Sequence, residues 1–442
     1  MVQRKLMRTG CAGLLTSASV PKRRNMYDFI KTGKKRTTCG TLLALSSLFL
    51  STMGATVGWA EDGSLVKEPS GCHDATGESC KGAALDIARE FQISGMVDTI
   101  YGYNFNEPPD GKSPGRVYDR NSEEFNLNAG ELVFQKPITE RHPWGARIDL
   151  YGGTDSEPNW SAGLGDPEDY INLQQAYFEI DASLASIIPD ANKLNLKFGK
   201  FVSLIGAEVI ESRDNWNTTR AFAFGYAVPF TLTGARATYT FDNGWDAALA
   251  LVNGWDTFQD TNQSKSVEGH FGFNNIKLGE VSSLTFLVQG IYGSEMADDN
   301  DSKRALGDFV AIWKTPWEPL SFMYNFDYGH EENGDPDGGP AHWVAQAVYG
   351  RVNILEQVSL STRLEYFDDA EGVRISSGYP ANYKEYTVTL EYRPIEKMVT
   401  RLEFRRDFSS APVYTTDDGD TQTTQSTLNA ELIYSFDVPQ FL

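Results

Sequence analysis

Long apolar segments are nearly absent from this sequence, although hydrophobic residues make up 40% of its 442 residues. A helical membrane protein with several spans would need repeated apolar stretches of about 20 residues. Only one such stretch occurs, TLLALSSLFLSTMGATVGWA at 41–60. The sequence therefore excludes a bundle of membrane helices. It remains compatible with strands that cross a membrane, because alternating apolar and polar side chains keep the mean hydropathy low.

Cysteine and histidine are also scarce, with four and five residues respectively. Cys72 and Cys80 lie close together in a chain that has no other cysteine after residue 60, and in an oxidising compartment they predict a small disulfide loop. Metal binding by this pair with His73 is the less favoured alternative, because the ligands are too few. No histidine lies at a metal-binding spacing from another, so we predict neither a metal site nor a cofactor. The histidines are His73, His142, His270, His330 and His342.

Positive charge is the minority charge, since 39 Lys and Arg face 60 Asp and Glu, for a formal net charge of −21. The first 60 residues depart from this balance, because they are rich in Lys and Arg and contain a single acid, Asp28. The rest of the chain is therefore still more acidic than the whole. A surface of this sign does not attract nucleic acid, and we predict no nucleic-acid partner.

The basic N-terminus and the apolar stretch together predict an export signal. Lys34, Lys35 and Arg36 precede the stretch, and the small-x-small triplet Gly58-Trp59-Ala60 follows it directly before an acidic segment. This order is that of the n-region, h-region and cleavage site of a secretory signal peptide. We predict a signal peptide at 1–60, with Met26 as an alternative start and an uncleaved membrane anchor as the alternative interpretation.

From residue 91 onward, apolar and polar residues alternate. In 91–105, Phe91, Ile93 and Val97 share one face, while Gln92 and Asp98 share the other. This period of two is typical of a strand with one apolar and one polar side. The pattern recurs and predicts sixteen strands, at 91–105, 125–136, 145–153, 171–182, 193–201, 232–241, 245–253, 265–276, 282–293, 305–314, 318–328, 341–352, 357–367, 383–393, 397–407 and 425–436.

The connections between these strands are alternately long and short, and every connection after an odd-numbered strand is longer than any connection after an even-numbered one. Transmembrane barrels show this asymmetry, with long external loops and short periplasmic turns. A closed barrel also satisfies every backbone polar group in the membrane. We therefore predict an all-β fold, a transmembrane antiparallel up-and-down β-barrel of about 16 strands at 91–442, preceded by a short periplasmic segment at 61–90. Export and barrel together predict the cell outer membrane.

Charged residues occupy the face that we assign to the lumen. On the last strands they recur at alternate positions and form a predicted charge ladder, which either stiffens the wall or sets ion preference along a pore. The residues of this charge ladder are Arg363, Glu365, Glu391, Arg393, Arg401, Glu403, Arg405 and Asp407.

The longest predicted connection, 202–231, combines charged with aromatic residues. A loop of this length is usually functional. A loop that is fully exposed to solvent is not expected to contain so many aromatic residues. We expect it to fold into the barrel and narrow the lumen, with Glu208, Glu211, Arg213 and Arg220 at the constriction. The alternatives are that it caps the barrel mouth or contacts a neighbouring subunit.

Several segments resemble the OmpL-like outer-membrane β-barrel porin family, and the resemblance extends over roughly 90–436. They are GMVDTIYGYNFN (95–106), LKFGKFVSLIGAEVI (196–210), PFTLTGARATYTF (229–241), LVNGWDTFQDTNQSKS (251–266), RLEYFDDAEGVR (363–374) and RLEFRRDFS (401–409). The resemblance implies a porin-like barrel without naming a solute.

Sixteen strands leave room for an aqueous channel. We therefore expect a porin for passive diffusion of ions or small hydrophilic solutes. Its expected partners are outer-membrane lipid and lipopolysaccharide, and a homotrimer is a candidate assembly. The alternative is a structural or adhesive barrel without significant conductance. We do not expect the protein to be an enzyme. GKSPG (111–115) matches the Gly-x-Ser-x-Gly pattern of esterases, but it lies in a segment rich in Pro and Gly, whereas the esterase motif requires a turn between a strand and a helix.

Overall fold

Sixteen long strands pair in chain order and close into a single antiparallel barrel. The computed structural model describes residues 89–182, 194–375 and 379–438. The barrel strands are β1 (Gln92–Asn104), β2 (Phe125–Lys136), β3 (Trp144–Gly152), β4 (Ile171–Ala182), β5 (Leu194–Val202), β6 (Thr231–Thr240), β7 (Asp246–Val252), β8 (Ser266–Lys277), β9 (Ser283–Gly293), β10 (Arg304–Lys314), β11 (Leu320–Glu331), β12 (Ala341–Leu355), β13 (Val358–Asp369), β14 (Ala381–Ile395), β15 (Met398–Ser409) and β18 (Thr424–Val438). The short strands β16 (Tyr414–Thr415) and β17 (Thr421–Gln422) form a hairpin between β15 and β18.

The predicted fold class is confirmed, and each of the sixteen predicted strands corresponds to one barrel strand within a few residues. The last strand closes the barrel against the first, with Tyr101 opposite Ala430. Several strands are longer than predicted, because pairing continues into charged or mixed residues at their ends, as in β14 up to Ile395. Hydrogen bonding to a neighbour, which apolar alternation does not encode, determines where these strands end.

The two faces of the barrel wall differ as the alternation predicts. Leu249, Val288, Leu364, Leu402 and Tyr434 are among many large apolar side chains that stay exposed on the outside. Their inward-facing neighbours are polar and mostly buried, for example Asp327, Arg363 and Glu403. An exposed apolar belt around a closed sheet is the surface that a bilayer requires.

Connections at the two ends of the barrel differ in length. One end carries 105–124, 153–170, 203–230, 253–265, 294–303, 332–340, 370–380 and 410–423. The described connections at the other end, 137–143, 241–245, 278–282, 315–319, 356–357 and 396–397, are all shorter. The end with long loops is accordingly assigned to the extracellular side. Helical structure within the described ranges is limited to short turns, none with the length and hydropathy of a membrane span.

Several predictions fall on residues outside the described ranges. They are the signal peptide at 1–60, nearly all of the N-terminal segment at 61–90, and the Cys72–Cys80 disulfide. These stay predictions, as does the division of the chain at residues 60 and 90.

Candidate pore and internal loop

The long connection 203–230, here called the internal loop, turns into the barrel and hydrogen-bonds to its inner wall. Its contacts concentrate on five neighbouring strands, β12, β13, β14, β15 and β18, here called the docking wall. The loop contains a 3-10 turn at Ser212–Asp214 and a single π-helical turn at Ala223–Ala227. Between these turns the backbone is irregular, so its N–H and C=O groups need partners from outside the loop.

Two carboxylates of the docking wall accept backbone N–H groups from the loop. Glu403 accepts the N–H groups of Thr218 at 2.7 Å and Thr219 at 3.0 Å. Glu365 accepts those of Phe222 at 2.7 Å and Ala223 at 2.6 Å. A carboxylate that binds two successive N–H groups compensates a stretch of backbone that has no helix or sheet partner.

Three arginines of the same wall donate to loop carbonyls. Arg363 Nη1 donates to the carbonyl of Thr219 at 2.6 Å, and Arg405 Nη1 to that of Arg220 at 2.6 Å. Arg401 donates to the carbonyls of Ser212 at 2.9 Å and Asn215 at 2.7 Å. All three guanidinium side chains are 0% exposed. Carboxylates and arginines together thus satisfy both kinds of backbone group along the loop.

Aromatic residues of the loop form an apolar core inside the barrel, near its extracellular end. Phe222 packs on Tyr383 of β14, and Phe224 packs on Tyr118 of the first extracellular loop. Trp343 of β12 donates from Nε1 to the carbonyl of Ala227 at 3.3 Å. The aromatics that the sequence analysis singled out therefore pack on the wall and on other loops, where they hold the internal loop in place by burial.

The deepest part of the loop is at Arg213. Its backbone carbonyl accepts a hydrogen bond from Arg393 Nη2 at 3.4 Å, two residues before the periplasmic end of β14. Its guanidinium pairs with Glu131 of β2 at 3.1 Å and is 26% exposed. The loop thus descends along most of the docking wall and presents a partly exposed cation.

The four predicted constriction residues all lie on the internal loop inside the barrel, but their surroundings differ. Glu208 is buried and pairs with Arg363 Nη1 at 2.8 Å. Arg220 is buried and donates to the carbonyl of Thr218 at 2.8 Å. Burial raises the pKa of Glu211, which accepts a hydrogen bond from Gln174 Nε2 at 2.8 Å. Of these four, Arg213 has the exposed charge that could meet a solute.

The eight residues of the predicted charge ladder share the inward face of the barrel. Ion pairs join them to each other and to acids that the sequence analysis did not select, such as Glu385 with Arg363 at 2.6 Å and Glu431 with Arg401 at 3.1 Å. Alternation already placed Glu385 and Glu431 on that face. Their pairing depends on strand register, which the alternation within a single strand does not specify. Arg393 is partly exposed, whereas the other seven are buried.

The opposite side of the barrel, β3 to β8, is here called the facing wall. Arg147 and Lys197 point inward there and are 24% and 20% exposed. The acids that pair with them are less exposed, with Asp149 at 0% and Glu179 at 14%. Arg236 and Glu268 are buried together where the internal loop starts, and Glu268 accepts the N–H of Leu204. Next to Arg147 and Lys197, the cations of this wall are thus somewhat more exposed than the acids with which they pair.

A closed barrel with an apolar outer belt, a charged inner face and an internal loop is the architecture of outer-membrane porins. The family model described as "Putative beta-barrel porin-2, OmpL-like" matches residues 90–436. The chain therefore belongs to the OmpL-like porin family, and its place is the outer membrane. No curated protein gives a significant sequence match.

Solved porins share the fold at low sequence identity. OprB of Pseudomonas putida is 9% identical, with a TM-score of 0.53, over 84% of this chain and 100% of that one. The anion-selective porin of Comamonas acidovorans is 8% identical, with a TM-score of 0.50, over 78% of this chain and 99% of that one. These similarities concern the fold of the barrel.

Proposed function

We propose that this protein is a passive diffusion channel for ions or small hydrophilic solutes, and that it performs no catalysis. The observation that carries the proposal is the asymmetric interior, in which the internal loop covers the docking wall and leaves charged side chains of the facing wall partly exposed. A lumen lined with partly solvated charge is a property of water-filled pores. The family membership supports the same function.

The path that we propose lies between Arg213 on the internal loop and the facing wall. Arg147, Lys197 and Arg213 contribute partly exposed positive charge there. Of the acids beside them, Glu131 and Asp149 are buried and Glu179 is 14% exposed, while Asp214, 3.4 Å from Arg213, is 60% exposed and offsets part of this charge. Exposed cations at a narrow point attract anions and repel small cations. We therefore propose a channel with a preference for anions, within the general class of passive porins.

A structural or adhesive barrel without conductance is the competing function. It would use the same fold, but partly solvated charges in the lumen would have no role in it. Insertion of the purified protein into a planar lipid bilayer separates the two functions. Discrete conductance steps are expected, with a reversal potential that favours anions in a salt gradient. A correctly folded barrel that never produces such steps would support the structural function.

A homotrimer and contact with lipopolysaccharide are further proposals for the outer surface. The exposed apolar belt supports association with membrane lipid, and the acidic extracellular loops could bind lipopolysaccharide through divalent cations. Light scattering in detergent, corrected for the bound detergent, measures the subunit number directly. The mass of a single chain would refute the trimer.

A further inference from the structure

Two histidines meet on the outer surface of the barrel near its extracellular rim. His330 lies one residue before the end of β11, and His342 is the second residue of β12. They are directly opposite each other in the antiparallel register. Residues in such a pair have Cβ atoms about 4.5–5.5 Å apart, so both side chains leave the sheet on the same face.

The two imidazoles turn ring nitrogens toward each other. His330 Nδ1 and His342 Nε2 are 3.1 Å apart, and the ring centroids are 4.7 Å apart. Two imidazole nitrogens that bind one metal ion at about 2.0–2.1 Å are expected to lie about 3.0–3.4 Å from each other. The same spacing accommodates a hydrogen bond between neutral rings. The distance between the two nitrogens is therefore one that a chelated ion requires.

A carboxylate lies beside one of the rings. Glu371, in the next extracellular connection, accepts the backbone N–H of His342 at 2.9 Å and lies 3.7 Å from its Nδ1. Carboxylates near the non-ligating nitrogen commonly support metal-binding histidines, and Glu371 lies on the Nδ1 side of the ring, just beyond hydrogen-bond distance. For His342 this arrangement leaves Nε2 available on the side of His330.

The surroundings favour a cation and allow access to it. The side chain of His342 is partly exposed, and the connection between the two histidines contains Glu332, Asp335 and Asp337 without any Lys or Arg. No third His, Cys, Asp or Glu of the described residues joins the pair in a group that could hold a metal ion. Water or an external ligand would therefore complete the coordination.

We propose that His330 and His342 form a two-histidine site for a divalent transition-metal ion, with Glu371 as a positioning residue. Imidazole suits Cu²⁺, Zn²⁺ and Ni²⁺, whereas Ca²⁺ and Mg²⁺ prefer oxygen ligands. Each neutral ring uses one lone pair. The ring that donates the hydrogen bond in the metal-free state moves its proton to its other nitrogen, so binding releases no proton from the pair.

Titration calorimetry of the untagged, chelator-treated barrel in detergent, with Cu²⁺ or Zn²⁺ alone, tests this proposal. One equivalent of ion is expected to bind, and Ca²⁺ should not compete. His330→Ala and His342→Ala should each weaken binding at least tenfold, because a chelate needs both rings. Glu371→Gln should weaken it by about tenfold. His142→Ala is the matched control, because the imidazole of His142 is partly exposed and its Nδ1 lies 2.9 Å from a carboxylate, Glu90, instead of a second imidazole.

Electron paramagnetic resonance of the Cu²⁺ form provides a second readout that does not depend on a stability change. Coupling to two nitrogens is expected in the parent protein and to fewer in His342→Gln. A His73→Ala background removes the histidine that follows Cys72 in the sequence, where the two could otherwise bind copper. Binding that is equally strong in both single alanine variants, or absent from the parent protein, would overturn the proposal and leave the pair as a hydrogen bond between neutral rings.

Discussion

The docking wall and the facing wall follow the same sequence pattern but differ in what their charges contact. Both alternate apolar outward residues with charged inward ones. On the docking wall, Arg363, Arg401 and Arg405 are fully buried in contacts with the internal loop and with wall acids. On the facing wall, Arg147 and Lys197 stay partly exposed. An inward charge in a barrel is therefore not by itself a pore charge, because a folded loop can use it as an anchor.

Of the changes considered, removal of the internal loop should have the largest effect on conductance, because it removes the difference between the two walls. Replacing 211–224 with a short Gly/Ser linker takes away the segment that contacts Glu403, Glu365 and Arg401, and both walls then face solvent. We expect single-channel conductance to rise severalfold and larger solutes to pass, provided that the barrel still assembles. Unchanged conductance in a folded barrel would refute the constriction and favour a role of the loop at the mouth or in a subunit contact.

Removal of a single wall arginine that binds the internal loop should have the next largest effect on the channel current. Arg363→Ala leaves Glu208 and Glu385 buried without their shared cation, and the loss of one partner from such a network costs about 3–5 kcal/mol. We expect the loop to detach part of the time, which current recordings would show as noisy transitions to a higher conductance. Arg406→Ala on the outward face of β15 is the matched control. Quiet, parent-like currents from Arg363→Ala would show that the loop does not depend on this anchor.

Charge changes on the facing wall should alter selectivity and leave the conductance state stable. Arg147→Gln combined with Lys197→Gln removes two of the partly exposed cations at the level of Arg213. The reversal potential in a salt gradient should shift toward cation preference, without the noise expected for the docking wall. Lys384→Gln, on the outward face of β14, should leave the potential as it is. A parent-like potential in the double variant would exclude these residues from the path of the ions.

The smallest expected effect is on the pH dependence of stability, through a buried carboxyl of an extracellular loop, Asp155, that lies close to the internal loop. Burial raises the pKa of Asp155 to about 8, against the opposing influence of Arg220. The pKa of Asp155 in the unfolded state is near 3.9. Between about pH 4 and pH 8 the folded state therefore keeps a proton that the unfolded state has already released. Stability from this group is complete below pH 4 and is lost as the pH rises to about 8.

Asp155→Asn should remove this contribution to the pH dependence. Unfolding in denaturant at pH 5 and at pH 8 measures it, and the parent protein should lose more stability between the two than Asp155→Asn. Asp337→Asn, at an exposed loop position, should behave like the parent protein. Identical pH dependence in all three proteins would show that Asp155 is not buried as a neutral acid.

The sequence alone determined the barrel, its strand number and the faces of its strands. Alternation assigns Leu402 and Leu364 to lipid and Arg401 and Arg363 to the interior because it acts locally, residue by residue, on a strand of known period. Connection lengths are equally local, and they identified 202–231 as the longest connection, which the structure places at 203–230. Family resemblance over 90–436 led to the same class, and the family match confirmed it.

Tertiary structure decided which of these residues meet. Glu403 binds Thr218 and Thr219 across a distance of more than 180 residues in the chain, and no local pattern encodes such a contact. The same is true of His330 and His342. Their separation along the chain matches no metal-binding motif, and only the strand register places them opposite each other. Register and loop docking depend on the summed free energy of many distant contacts, which only the closed barrel brings together.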